Sequence, residues 1–522
     1  MPLSKHDAEV LVNLIRDSFR VRENQNPIYI EVGDSFRRLS SAQHQVVFGR
    51  RGSGKSCLLV HLLRTCENGG PHNALYVGID SIKKLHFPDI LTRMLISIFE
   101  GLPAPKWNIA RLWSKNPVEK TLADLRSLLD AAITSDVEQT HKRHRVGKAS
   151  LPGTSLTLGV EATAGTDVKE QFKKQKLDYL ERHLDDYRSA IKAALPKELH
   201  TLHVLVDDFY LVRRPEQPDV VDYLHRLLRG TNAYLKLGTI RHRTTLRRHE
   251  EQTIGVELGQ DVEEISLDRT LETFKDTQDY LVSMLDELGR SAGIDNASSQ
   301  LFNPGAAHAL TLASGGVPRD FLNILADSID LACRSGGSAW LTPKLIYKAA
   351  AQKTLPNKRS NLSEDAGVDA KRLEAAFADI LKFCLQDKRQ TAFLVSKEDA
   401  IKFSGENEII QQLADFKLLH LIAPDTSAAS GRPGRFSAYT LDAAIFMEPR
   451  RRGLDVVAFW EQDDERRPRG IRESRTYELS RMTIAIKDAS KNEDVLSDVL
   501  SAVAEDAAND PAPDEETDTL VR

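Results

Sequence analysis

Residues Gly49-Arg50-Arg51-Gly52-Ser53-Gly54-Lys55-Ser56 fit G-x-x-x-x-G-K-[ST], the spacing of a phosphate-binding loop. The glycines let the backbone turn so that successive N–H groups point at phosphate oxygens. A lysine in this position reaches the β- and γ-phosphates, and the hydroxyl after it ligates Mg²⁺. The expected nucleotide contacts are Gly49, Arg50, Arg51, Gly52, Ser53, Gly54, Lys55, Ser56 and the following Cys57, with Ser56 as a metal ligand. A second pair of candidates closes the apolar run Leu202–Val206: Asp207 and Asp208. Asp207 is placed to hold Mg²⁺ through water, and Asp208 to orient or deprotonate an attacking water. No N/T-K-x-D guanine-reading motif follows the later strands, which favours ATP over GTP.

The flanking elements suit that chemistry. Gln45–Phe48 reads as a buried strand entering the loop, and Cys57–Leu63 as a helix leaving it with its N-terminal dipole toward the phosphates. Further strands are expected at 74–80, 202–208, 234–239 and 262–267, with helices at 88–100, 118–133 and 220–228. This alternation predicts a parallel α/β sheet. Between 135 and 197 an insertion carries a basic run (141–148), an alternating stretch (155–160) that suggests a hairpin, and a charged helix from 167 to about 195.

From Leu271 onward the pattern is helical, over 271–288, 304–313, 318–333 and 343–351. A polar linker is expected over 356–364. Helices then follow at 370–385, 397–403 and 406–416, and strands at 418–423 and 435–441. Three helices with a two-stranded wing is the winged-helix pattern. The segment 448–490 is rich in arginine with interleaved acids in its first part.

At 522 residues the chain has room for roughly three domains. Its 41% hydrophobic and 28% charged fractions are those of a globular protein. It has no apolar run of about 18 residues, so a membrane span is not expected. Residues 6–19 carry charge throughout, with apolar residues at helical spacing, and read as a surface helix of a cytoplasmic protein rather than a signal peptide. Cys57, Cys66, Cys333 and Cys384 form no C-x-x-C pair, so reduced thiols are expected. The net charge of −5 is uneven: Glu493 to Arg522 carries −9, leaving the rest at +4. The tail 491–522 is expected to be acidic and disordered. A body this mildly basic permits nucleic-acid binding without requiring it.

Gly315-Gly316-Val317-Pro318-Arg319-Asp320 opens a helix after the sheet. A G-x-P-R at that place resembles sensor 2 of AAA+ ATPases. With the phosphate loop, the Asp207-Asp208 strand and the winged-helix pattern, the chain resembles the origin-recognition/initiator-like AAA+ ATPases and the neighbouring signalling STAND ATPases, over about residues 20–445. The resemblance implies an ATPase core (1–268), a helical lid (269–355) and a winged helix (364–447). Arg319 is then implied to contact the γ-phosphate, and Thr239 to stand at sensor 1, where the family commonly has asparagine. Arg229 or Arg241, with Arg247 or Arg248 as second choice, would be an arginine finger donated to a neighbouring subunit. Relatives often carry glutamate where this chain has Asp208, one methylene shorter, which suggests slow hydrolysis.

Two partners stay open for the winged helix. The expected recognition helix, from Glu406 to Asp415, has acids and no basic residue, whereas Lys397, Lys402, Arg432 and Arg435 lie nearby. The first reading is a DNA-associated switch whose subunits assemble with ATP, as a homo-oligomer or with a partner protein. The second is a STAND-like regulatory or defence ATPase whose winged helix contacts protein. A small-molecule kinase fits the lid motif and the length less well.

Overall fold

The computed structural model describes residues 3–19, 28–31, 34–68, 72–102, 116–141, 165–195, 201–249, 252–334, 340–366, 369–429, 433–447, 453–462 and 468–489. Most of the basic run 141–148, the stretch 155–160, Arg432, part of 448–475 and the acidic tail lie outside the described residues. The chain divides into two units, Val21–Gly49 with Lys55–Leu267, and Met1–Arg20 with Arg50–Gly54 and Asp268–Arg522.

The first unit is α/β. Its strands are β1 (Gln45–Phe48), β2 (His72–Gly78), β3 (Thr201–Asp207), β4 (Ala233–Thr239), a short antiparallel pair β5 (Arg247–His249) and β6 (Thr253–Gly255), and β7 (Glu263–Ser266). Five of them form one parallel sheet in the order β2-β3-β4-β1-β7. Alternate residues serve opposite faces. Val46 and Phe48 enter a core with Val204, Val206, Leu235 and Leu237, while Val47, Leu205 and Ile265 pack against Leu58, Leu59 and Leu62 of helix Lys55–Glu67. Burial on both faces explains why these strands read as continuous apolar runs. Each such side chain contributes about 1.5–3 kcal/mol by leaving water.

The single helix expected over 167–195 is two helices, Gly165–Arg182 and Leu184–Ala194, joined at His183 with φ −99° and ψ 4°. The His183 ring donates to the Tyr179 carbonyl at 2.8 Å at this break. Lys176, buried on the first helix, donates to Asp89 at 2.6 Å.

The second unit is mainly helical, with helices Phe274–Ser291, Ala306–Ser314, Pro318–Arg334 and Pro343–Ala349 at its start. It also contains the N-terminal helix Lys5–Ser18, which was expected within the 1–268 core. That helix buries Ala8, Leu11, Val12 and Ile15, and Arg16 pairs with Asp330 of helix Pro318–Arg334 at 2.6 Å. Its apolar stripe faces protein and its charged face is exposed, the arrangement of an amphipathic surface helix.

The expected linker at 356–364 is helical. A π-type turn, Ala350–Thr354, runs without a break into helix Leu355–Ala366, and Pro356, which has no N–H to donate, sits just after that turn. Lys358 turns inward to Asp442, a long-range pairing that local composition does not reveal.

Beyond it lie helices Ala370–Leu381, Lys397–Lys402 and Ser404–Asp415, and strands β8 (Ala392–Ser396), β9 (Leu419–Thr426), β10 (Phe436–Leu441) and β11 (Arg475–Thr476). Their sheet has four strands, in the order β11-β8-β10-β9, rather than the two expected. β8 is a short buried run that periodicity alone does not separate from a helix. β11 comes from the arginine-rich segment. Next to it Tyr477 is buried and donates to Asp379 at 2.6 Å, and Arg481 also donates to Asp379, at 2.9 Å.

Candidate phosphate-binding site

The loop from Gly49 to Ser56 leaves β1 where that strand lies between β4 and β7. Gly49 is buried, and its N–H donates to the Thr239 carbonyl at 3.2 Å, tying the loop entrance to the end of β4. Gly52 and Gly54 have φ of +91° and +100°, a region that L side chains rarely adopt. Lys55 is 5% exposed and its ammonium donates to the Gly49 carbonyl at 2.7 Å. The Ser53 hydroxyl is buried and has no hydrogen-bond partner among the described residues. An orphaned hydroxyl inside a glycine-turned loop fits an anionic ligand with oxygen acceptors. Ser56 is the second residue of helix Lys55–Glu67 and is half-buried. Burial pushes the Cys57 thiol up to about 12, so it is a packing group here rather than a nucleophile.

Asp207 ends β3 and is 2% exposed. Its carboxylate accepts from the Tyr76 hydroxyl at 2.7 Å and from the Asp208 N–H at 2.9 Å. The β2–β3 register, which pairs Gly78 with Asp207, brings Tyr76 to it from the neighbouring strand. On the other side stands Gly238 of β4, where a β-carbon would come within 3.0 Å of the Asp207 carboxylate and 2.9 Å of Leu59. Asp208 is half-buried with φ +56°, so the backbone turns sharply between the two acids. Tyr76 and Gly238 carry no motif, and only the strand register identifies them.

Thr239 is fully buried. Its hydroxyl lies 2.5 Å from that of Thr244, which donates to the Ile240 carbonyl; with one proton per hydroxyl, Thr239 is the donor to Thr244. The arginines of this unit are spread out. Arg229 is exposed at the end of helix Gln217–Leu228 and has no ion pair among the described residues. Arg241 lies over the Phe48 ring at 4.1 Å and pairs with Glu264. Arg247 pairs with Glu257 at 2.8 Å and Arg248 with Asp219 at 2.9 Å.

In the second unit the loop residues Arg50–Gly54 meet the Gly315–Asp320 turn. The Arg319 N–H donates to the Gly52 carbonyl at 3.3 Å. The Arg50 N–H donates to Asp268 at 2.6 Å, and its guanidinium donates to the carbonyls of Arg269 at 2.7 Å and Gly315 at 3.4 Å. Arg51 is exposed. The structure thus brings the G-x-P-R motif to the middle of the loop. Asp268 is a loop-anchoring residue that no sequence motif marks.

A phosphate loop between β1 and its helix, on a parallel sheet with acids at the end of β3, defines a P-loop nucleoside triphosphatase fold. Among solved structures the chain is similar to the Aeropyrum pernix ORC1 protein in complex with DNA, at 14% identity over 85% of this chain and 91% of that one, with a TM-score of 0.29. It is similar to Cdc6p from Pyrobaculum aerophilum, at 11% identity over 91% and 97% of the two chains, with a TM-score of 0.33. A Walker-type ATPase of Pyrococcus abyssi is similar at 11% identity over 82% and 98%, with a TM-score of 0.39. No family model matches the sequence, and no curated protein matches it. Overlays this loose add nothing to the class, which stands on the chain's own loop and sheet. Among the described residues no helix is long and apolar enough to cross a membrane.

Proposed function

We propose that this protein binds ATP with Mg²⁺ at Gly49–Ser56 and hydrolyses it slowly, as a DNA-associated AAA+ switch of the initiator-like kind. The loop geometry carries the reading: two glycines at positive φ, a buried Lys55 and a Ser53 hydroxyl with no partner among the described residues. In this account Lys55 reaches the β- and γ-phosphates, and Ser56, with Asp207 through water, holds the metal. Mg²⁺ would neutralise charge on the phosphates during transfer. Asp207 is kept in orientation by Tyr76, and Asp208 orients or deprotonates the water. Arg319 would meet the γ-phosphate from a lid formed by about 269–355, and Thr239 would act as sensor 1. Arg229, exposed and without an ion pair among the described residues, is favoured over Arg241, Arg247 and Arg248 as a finger for a neighbouring subunit.

The region 364–447 is proposed as a winged helix. Lys397 and Lys402 offer exposed cations to DNA. One observation favours the second reading, a STAND-like switch with a protein partner. Helix Ser404–Asp415 contains no lysine or arginine, and its Glu406 already accepts from Thr483 at 2.8 Å. ATPase rate and duplex DNA binding, measured together at two salt concentrations, separate these readings. Salt-sensitive DNA affinity supports the first. ATP turnover with no DNA affinity at low salt replaces it with the second.

A further inference from the structure

Behind Arg319 lies a buried charge network that the ATP-site chemistry does not use. Asp320, 6% exposed, accepts from Lys417 at 2.7 Å and lies 3.9 Å from Lys358. Lys358 donates to Asp442 at 2.5 Å, and the same Asp442 oxygen lies 2.9 Å from His420 Nε2. The other Asp442 oxygen caps helix Ala443–Phe446 through the Ala444 N–H at 3.0 Å. Lys358, His420 and Asp442 are all nearly or fully buried. Lys417 and His420 frame the start of β9 and Asp442 follows β10, while Lys358 stands on helix Leu355–Ala366. The network thus ties the C-terminal sheet and that helix to Asp320 at the start of helix Pro318–Arg334.

The network reaches the phosphate loop along two short routes. The His420 ring lies directly on Gly315, where a β-carbon would fall 1.9 Å from His420 Cε1, and the Gly315 carbonyl accepts from Arg50. Asp320 follows Arg319, whose N–H meets Gly52. Burial outweighs Asp442 and holds the His420 imidazole below its usual range, so it is neutral. The two carboxylates then face two lysines. Although burial holds the Lys417 ammonium below its usual range, its hydrogen bond to Asp320 works the other way, so the carboxylates have cationic partners without Arg319. Among the described residues no ion pair consumes the Arg319 guanidinium, which leaves it available to an anion.

We propose that Lys417 and His420 are positioning residues for Arg319: they hold the Gly315–Asp320 turn on the phosphate loop, and the C-terminal sheet thereby sets how strongly the site distinguishes a nucleoside triphosphate from a diphosphate. The second half of this proposal rests on the ATP reading above. Removing Lys417 leaves Asp320 buried without its closest cation, and the turn shifts toward water. Lys417→Arg keeps the charge, whereas Asp320→Leu with Lys417→Met removes both partners and leaves no stranded charge.

The test uses the full chain. Amide exchange over residues 315–321 is measured without nucleotide, and dissociation constants are measured for ATP and ADP. Lys417→Met should raise exchange in that turn at least roughly tenfold and weaken ATP about tenfold, with ADP changed less than twofold. Lys417→Arg should recover most of both effects. If Lys417→Met does not fold, the double variant, which also lacks the Lys417–Asp320 tie, is read in its place. Both exchange and ATP affinity should then change in the same direction by a smaller factor, because no charge is stranded. Unchanged exchange with an unchanged ATP-to-ADP ratio in a folded variant overturns the proposal. Failure of the wild type to bind either nucleotide would overturn the ATP reading instead, and the exchange measurement would still decide whether Lys417 holds the turn.

Discussion

Arg319 and Gly52 meet backbone to backbone: the Arg319 N–H donates to the Gly52 carbonyl at 3.3 Å, and a β-carbon on Gly52 would stand 2.8 Å from that of Arg319. Gly52 therefore serves two needs, a φ of +91° and room for the start of the Pro318–Arg334 helix. Gly52→Ala should cost about 1–3 kcal/mol of stability, read by denaturant unfolding, and weaken ATP binding. A variant as stable as the wild type, with full affinity, would show that the close approach is not made in solution.

Tyr76 is the group outside the acids themselves that orients Asp207 from a neighbouring strand, at 2.7 Å. Losing a hydrogen bond to a charged group costs about 1.5–3 kcal/mol at most, less when water replaces the partner. Tyr76→Phe should therefore lower kcat roughly fivefold with little change in ATP affinity, whereas Asp208→Asn should remove most turnover. Steady-state phosphate release with a parallel binding titration checks both. Full turnover in Asp208→Asn would remove that residue from the water-activating role.

How much of this was legible in the sequence differs by residue. The turn from Gly49 to Ser56 and the placement of Asp207 and Asp208 at the end of β3 were readable because each residue type answers a local demand, a positive φ or a strand end. Strand and helix bounds around the sheet differ by a few residues from expectation, since burial on both faces leaves long apolar runs. Tyr76, Gly238 and Asp268 were not readable, because strand register and loop anchoring bring them to the site from distant parts of the chain. The same holds for Lys358: a run rich in polar residues reads as a linker until Asp442, 84 positions later, supplies the buried partner. β8 escaped because five residues, Ala-Phe-Leu-Val-Ser, are too few to show a period.

His203 offers a pH test of the sheet itself. It is fully buried in β3, neither ring nitrogen has a hydrogen-bond partner among the described residues, and burial, with Lys236 and His72 nearby, pushes its imidazole from 6.5 down to about 3. The unfolded chain therefore binds a proton below pH 6.5 that folded His203 refuses. Its contribution is complete above pH 6.5 and is lost as pH falls toward 3, by about 1.4 kcal/mol per pH unit. His203→Leu should flatten the stability profile over that window. An unchanged slope in urea unfolding between pH 6.5 and 4 would contradict a neutral buried His203.

Calorimetric titration of Mg²⁺-ATP into the wild type and Lys55→Ala decides whether Gly49–Ser56 is a nucleotide-binding loop. Saturable binding is expected of the wild type and none of Lys55→Ala, with the variant's fold confirmed by circular dichroism. Undiminished ATP affinity in a folded Lys55→Ala protein would contradict that role.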